Sequence, residues 1–221
     1  MPQDILSPLW LTLKVSFIAT LFALVLGSLA AMAVMRLRWR FKDVLDAVLT
    51  LPMVLPPTVL GYYLLVVFGR HGVLGGMLEE YLGVRLVFTW QGAVLASLVV
   101  AFPLVYRTAR AALEGVPASC EQAARTLGAG EWEVFLFVSL PLAWRGILAG
   151  SMLALARAMG EFGATLMIAG NLPGKTQTLS LAVYSAVQAG DDARANLLVG
   201  IVSFVCIVLL VATSRLLKPR Y

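Results

Sequence analysis

Two opposite charges, Arg157 and Glu161, stand four residues apart in a stretch from Gly146 to Ile168 that carries no other Asp, Glu, Lys or Arg. A charge at the centre of a bilayer costs about 2.5–3.5 kcal/mol on an insertion scale, so it is expected to have a purpose there. On a helix this spacing puts both side chains on one face, where they can neutralise each other. They are either a structural ion pair facing the interior of an assembly or a charge kept in the membrane to meet a solute. Other chemistry-bearing residues are scarce. His71 is the single histidine and falls in a loop, and Cys120 and Cys206 have neither disulfide nor metal-ligand spacing. No Ser or Cys stands beside a base, so the polar cluster that a membrane enzyme needs is missing. The segment Gly170–Thr176 looks like a phosphate-binding loop, yet Ala169 occupies the place of its first glycine and the segment follows an apolar span rather than a strand. No metal or cofactor is expected.

The surrounding elements follow from composition. Of 221 residues, 60% are hydrophobic and 13% charged, too apolar for an ordinary soluble domain. A bilayer core of about 30 Å needs roughly 20 apolar residues per helix. Windows Val15–Met35, Ala47–Phe68, Leu86–Tyr106 and Ala195–Ser214 meet that need without a charge, and Gly146–Ile168 is the fifth. They are continuous, rich in Leu, Ala, Val and Gly, unlike the short alternating segments of a membrane barrel. The first window lacks a basic start and is followed by Arg36, Arg38, Arg40 and Lys42, which marks a retained span rather than a cleaved signal. An all-α membrane protein with five transmembrane helices is therefore predicted.

Basic residues between spans set orientation. One set of connections holds Arg36, Arg38, Arg40, Lys42, Arg107, Arg110, Arg125, Arg145, Arg215, Lys218 and Arg220; the other holds Arg70, Arg85, Lys175 and Arg194. Eleven against four places the N-terminus outside and the C-terminus in the cytoplasm. The net charge of +5 is then a topology signal, with no nucleic-acid partner implied.

A single membrane domain, 1–221, is expected, without repeat or linker. Pro52, Pro56 and Pro57 must kink or unwind the second span, either for packing or as a bend lining a pathway. Thr176–Gly190 is uncharged but too short to cross, and is expected to be a re-entrant or surface-lying helix near the outer mouth. The longest polar connection, about 114–141, is organised: Pro117 can open a helix over Ala118–Leu127, Gly128 can end it, and a second helix can run from Glu131 to about Val138 with Glu131 and Glu133 at its positive end. Leu140-Pro141 is expected to turn the chain back into the membrane. A helix-turn-helix presenting a face to the cytoplasm results.

In that loop Gln122-Ala123-Ala124, then Gly128, then Val138-Ser139-Leu140-Pro141 resemble, at fixed spacing, the EAA signature of binding-protein-dependent ABC importer permeases. Gln122 stands where the signature usually has Glu, with Glu121 one residue earlier, and Val138 replaces Ile. The resemblance implies a type I importer permease whose coupling helices sit in a cleft of a cytoplasmic ATPase. Ala123 and Ala124 would allow close approach, and Glu121 and Arg125, at i,i+4, would fix the helix.

Four segments, Leu51–Pro57, Gly69–Gly72, Glu121–Gly130 and Gly160–Thr165, look like those of molybdate ABC permeases, and sulfate and thiosulfate permeases share variants of two of them. This resemblance implies a homodimer of the permease in membrane lipid, two ATPase subunits and an external oxyanion-binding protein. ATP hydrolysis would belong to the partner and the solute would be molybdate or tungstate, with sulfate or thiosulfate as the alternative. Arg157 would then offer positive potential to a dianion, with Glu161 holding it and Pro56 and Pro57 beside the pathway. A stand-alone secondary transporter is the remoter alternative, since five spans without an inverted repeat suit it poorly.

Overall fold

The computed structural model describes residues 3–37 and 41–217, and Arg38, Arg40, Lys218 and Arg220 lie outside the described residues. Every regular element in them is helical. Helix α1 (Gln3–Arg36) exceeds the apolar window that announced it and, at 1.5 Å per residue, reaches about 50 Å. Helices α2 (Lys42–Val54) and α3 (Pro57–Phe68) meet at 112°. The cause is local: a residue before proline is pushed out of the helical region, and Leu55 (ψ 140°) and Pro56 (ψ 135°) are both extended. After α4 (Val73–Leu82), helix α5 (Trp90–Glu114) opens with the Thr89 hydroxyl accepting from the Gly92 N–H at 3.3 Å.

The polar connection folds into α6 (Ala118–Thr126) and α7 (Glu131–Val134), and Gly128, at φ +89°, makes the left-handed turn between them. No turn follows at Leu140-Pro141, and α7 is shorter than expected. The chain continues through one π-helical turn, Phe135–Ser139, into α8 (Leu140–Met159), so that Glu131–Met159 is a single candidate span. The wide turn lets the Leu140 N–H reach back to Phe135 O, which slips the ladder past the proline that lacks a donor. The fifth span is therefore displaced from Gly146–Ile168: α8 stops at Met159, and α9 (Gly163–Ala169) is a separate short helix. Two more follow, α10 (Leu179–Gln188) and α11 (Asp192–Leu217).

Helices α1 and α5 run side by side in the same direction, with Val15 in one cluster with Ala93–Ala96 and Ala31–Val34 in another with Ala109 and Leu113. Helix α8 returns against both, its Gly146 and Gly150 facing Ala112 and Thr108. Helix α2 starts at the Tyr106–Arg110 level of α5, where Asp46 pairs with both, while Phe68, at the far end of α3, packs against the same core cluster as Val87 and Trp90. By length and composition α1, α5, Glu131–Met159 and α11 are four candidate spans among the described residues, and the broken pair makes a fifth when counted as one. Helix α10, in the stretch expected to be re-entrant or surface-lying, packs on the bundle: Leu179 N–H donates to the buried Thr12 Oγ1 of α1 at 2.8 Å. The exterior is apolar, most of all on α11, where 11% of the most apolar window is buried.

Candidate functional site

Two places bring the chemistry-bearing residues together. The first is at mid-depth. The break between α2 and α3 opens a cavity of about 480 Å³ lined by Pro52, Met53, Val54, Leu55, Pro56, Pro57, Val100, Leu104 and Arg157. Val100 and Leu104 are each ten residues in from an end of α5, so the cavity lies about 15 Å from either end of that helix. Arg157, Pro56 and Pro57, singled out separately in the sequence, thus share one wall.

Glu161 stands behind that wall. It lies beyond the end of α8 rather than on its face, but the last turn continues through Gly160 N–H to Ala156 O and Glu161 N–H to Ala158 O, which keeps the ion pair in reach. Arg157 Nη1 is 2.9 Å from Glu161 Oε2; the Glu161 side chain is 1% exposed and that of Arg157 38%. The other carboxylate oxygen, Oε1, accepts the Ala164 N–H at 2.9 Å and so satisfies an orphan donor in the first turn of α9. Gly163 packs on Pro57, where an added Cβ would lie 3.0 Å from the proline ring, so α9, α3 and the ion pair are positioned as one unit.

The second place is the α6–α7 surface. Glu121 accepts from the Ser139 hydroxyl at 2.7 Å, which ties α6 to the root of α8. Arg125 donates to Glu131 at 2.7 Å and to Glu121 at 3.3 Å, and Arg36, at the end of α1, donates to Glu131 O at 2.6 Å. Hydrogen bonding to Glu131 raises the Arg125 pKa above its ordinary value. This network braces α6 from beneath. The opposite side is open: Gln122, Ala123, Thr126 and Gly128 are exposed, Ala124 is half-buried, and Leu127 is 89% exposed. This face thus sets one bare apolar side chain among small residues. Val138 and Leu140 are half-buried in the helix leading into the membrane, and Pro141 is exposed there. They shape the exit from the loop rather than the open face.

A family model described as "binding-protein-dependent transport system inner membrane component" matches residues 23–221. The chain belongs to that family. It is a multi-pass membrane permease. It is 46% identical over 214 residues to the molybdenum transport system permease protein ModB of Escherichia coli K12, covering 95% of this chain and 93% of that one. The chloroplastic sulfate permease 2 of Chlamydomonas reinhardtii is 42% identical over 183 residues, 83% of this chain and 49% of that one. Among solved structures, an inward-facing MetNI methionine ABC transporter chain superposes with a TM-score of 0.77 at 18% identity, covering 98% of this permease and 96% of that chain. That likeness shows the type I importer fold.

Two contacts escaped the sequence reading. Asp46 of α2 accepts from Tyr106 Oη and from Arg110, which also holds Glu114 at 2.9 Å; this fastens α2, which buries no residue of its own, to α5. The close crossing of α5 and α8 at Gly146 and Gly150 had a visible signal, two glycines four apart in an apolar span.

Proposed function

We propose that this chain is the molybdate-conducting permease subunit of an ATP-driven importer, working as one membrane domain, 1–221. Near-full-length likeness to a molybdenum permease is the observation that carries the substrate. In this reading two copies of the chain form the pore, two ATPase subunits dock on the α6–α7 surfaces, and an external oxyanion-binding protein delivers the solute. The N-terminus faces outside and the C-terminus the cytoplasm, in keeping with Arg36, Lys42, Arg110 and Arg125 gathering at one end of the bundle. The chain binds no cofactor and performs no hydrolysis itself.

Glu121, Gln122, Ala123, Ala124, Arg125 and Gly128 form the docking unit, and Val138, Leu140 and Pro141 carry its displacement into α8. Because α5 leads into the loop and α8 leads out, a push on α6 reaches both walls of the mid-depth cavity. Arg157, Pro56 and Pro57 line the pathway there, with Glu161 held behind Arg157. Alternating access then amounts to tilting these helices around the α2–α3 break. Likeness to a sulfate permease supports sulfate as the second reading. Uptake of labelled molybdate and of labelled sulfate, in cells lacking only this chain, tests the choice. Loss of molybdate uptake alone supports the proposal; loss of sulfate uptake alone keeps the mechanism and replaces the substrate; no change in either removes the oxyanion assignment.

A further inference from the structure

A guanidinium carries five N–H donors. Among the described residues those of Arg157 have one protein acceptor within reach, Glu161 Oε2 at 2.9 Å from Nη1, so most of the donors are left over. Charge holds Arg157 on one side, and its remaining donors border the cavity. Every other lining side chain there is apolar. At about 30 Å³ per water, 480 Å³ is on the order of sixteen water volumes, enough for an anion that keeps part of its hydration.

The geometry points to a transient binding site for a tetrahedral oxyanion on Arg157, with Glu161 as the built-in counter-ion that the solute displaces; this rests on the oxyanion-permease reading above. The two partners of the pair are not equally free. Glu161 is buried and anchored by its bond to the start of α9, whereas Arg157 is partly exposed on a flexible stem. Arg157 is therefore the partner that moves. With the cavity empty, the pair neutralises itself and the lone cation is tolerated at mid-depth. When an oxyanion enters, its oxygens accept the free donors, in the paired geometry a guanidinium favours, and compete with Glu161 for the positive charge. Glu161 stays close enough to repel the anion, so occupancy is brief, as passage requires.

The test uses the assembled permease–ATPase complex in nanodiscs without the external binding protein, with labelled molybdate and labelled sulfate as probes, alongside uptake in cells. Wild type should retain molybdate weakly. Arg157→Gln, in complexes verified as intact, should lower retention and uptake roughly 10- to 100-fold, the factor expected for one hydrogen-bonded charge. Glu161→Gln, which keeps an oxygen for the Ala164 N–H, should retain molybdate more tightly and release it more slowly. Molybdate uptake by Arg157→Gln at the wild-type rate would overturn the site and leave the permease reading standing. If Arg157→Gln does not assemble, Glu161→Gln decides, and retention no tighter than wild type overturns the site. Retention of sulfate but not molybdate, with the same dependence on both residues, would uphold the site and overturn the molybdate assignment.

Discussion

Gly150→Ala adds one methyl group where α8 crosses α5, and the surroundings fix what it must cost. The new Cβ would stand 2.6 Å from Thr108 Cβ and still closer to the Thr108 hydroxyl. Thr108 cannot swing aside freely, because its hydroxyl donates to Leu104 O at 2.8 Å. Overpacking of this kind costs about 1–3 kcal/mol, and breaking that bond would add about 1 kcal/mol, against a gain of roughly 1 kcal/mol from replacing glycine in a helix. A net loss of about 1–3 kcal/mol follows. At roughly 2–4 °C per kcal/mol for a chain of this size, the thermal midpoint of the purified complex should fall by about 2–12 °C. Gly200→Ala is the control: nothing lies within 4 Å of its added Cβ, so only the propensity gain is left and the midpoint should hold or rise. Adding Thr108→Ala to Gly150→Ala should restore part of the loss, since it removes the hydroxyl and methyl but keeps the Cβ at 2.6 Å. Equal midpoints for Gly150→Ala and Gly200→Ala would refute the close crossing, and with it the rigid path from α6 to the mid-depth cavity.

The other predictions concern docking, the break, the α2 anchor and orientation. Leu127→Asp, on a side chain 89% exposed, should change stability by no more than about 0.5 kcal/mol yet abolish co-purification of the ATPase; a normal complex would remove Leu127 from the docking face. Replacing both Pro56 and Pro57 by Ala should let α2 and α3 approach a straight helix and stop uptake while the protein stays folded; normal uptake would mean the break is packing alone. Asp46→Asn takes the carboxylate from Tyr106 and Arg110, and should lower stability by about 1–3 kcal/mol in an unfolding titration. Cys120 is exposed on α6, so a membrane-impermeant thiol reagent should label it only after cells are opened; labelling of intact cells would invert the topology.

Much of this was legible because the responsible chemistry is local. Pro56 and Pro57 break their helix wherever they stand, Gly128 can take the left-handed turn after α6, and the charges at 157 and 161 are one turn apart. Leu140-Pro141 misled because a proline ordinarily ends a helix, whereas here a π turn absorbs it. The end of α8 at Met159 was hidden for another reason: Glu161 serves two helices, pairing back to Arg157 and forward to Ala164. The anchoring of α2 could not be read at all, since Asp46 meets Arg110 only after two spans have packed in register across 64 residues of sequence.

The most direct measurement is accumulation of labelled molybdate in sealed vesicles that hold this permease with its ATPase, the nucleotide on the α6 side and the binding protein on the other. Uptake against the gradient that requires both ATP and the ATPase subunit is the predicted result. Accumulation that persists without the ATPase would contradict the account and make the chain a transporter in its own right.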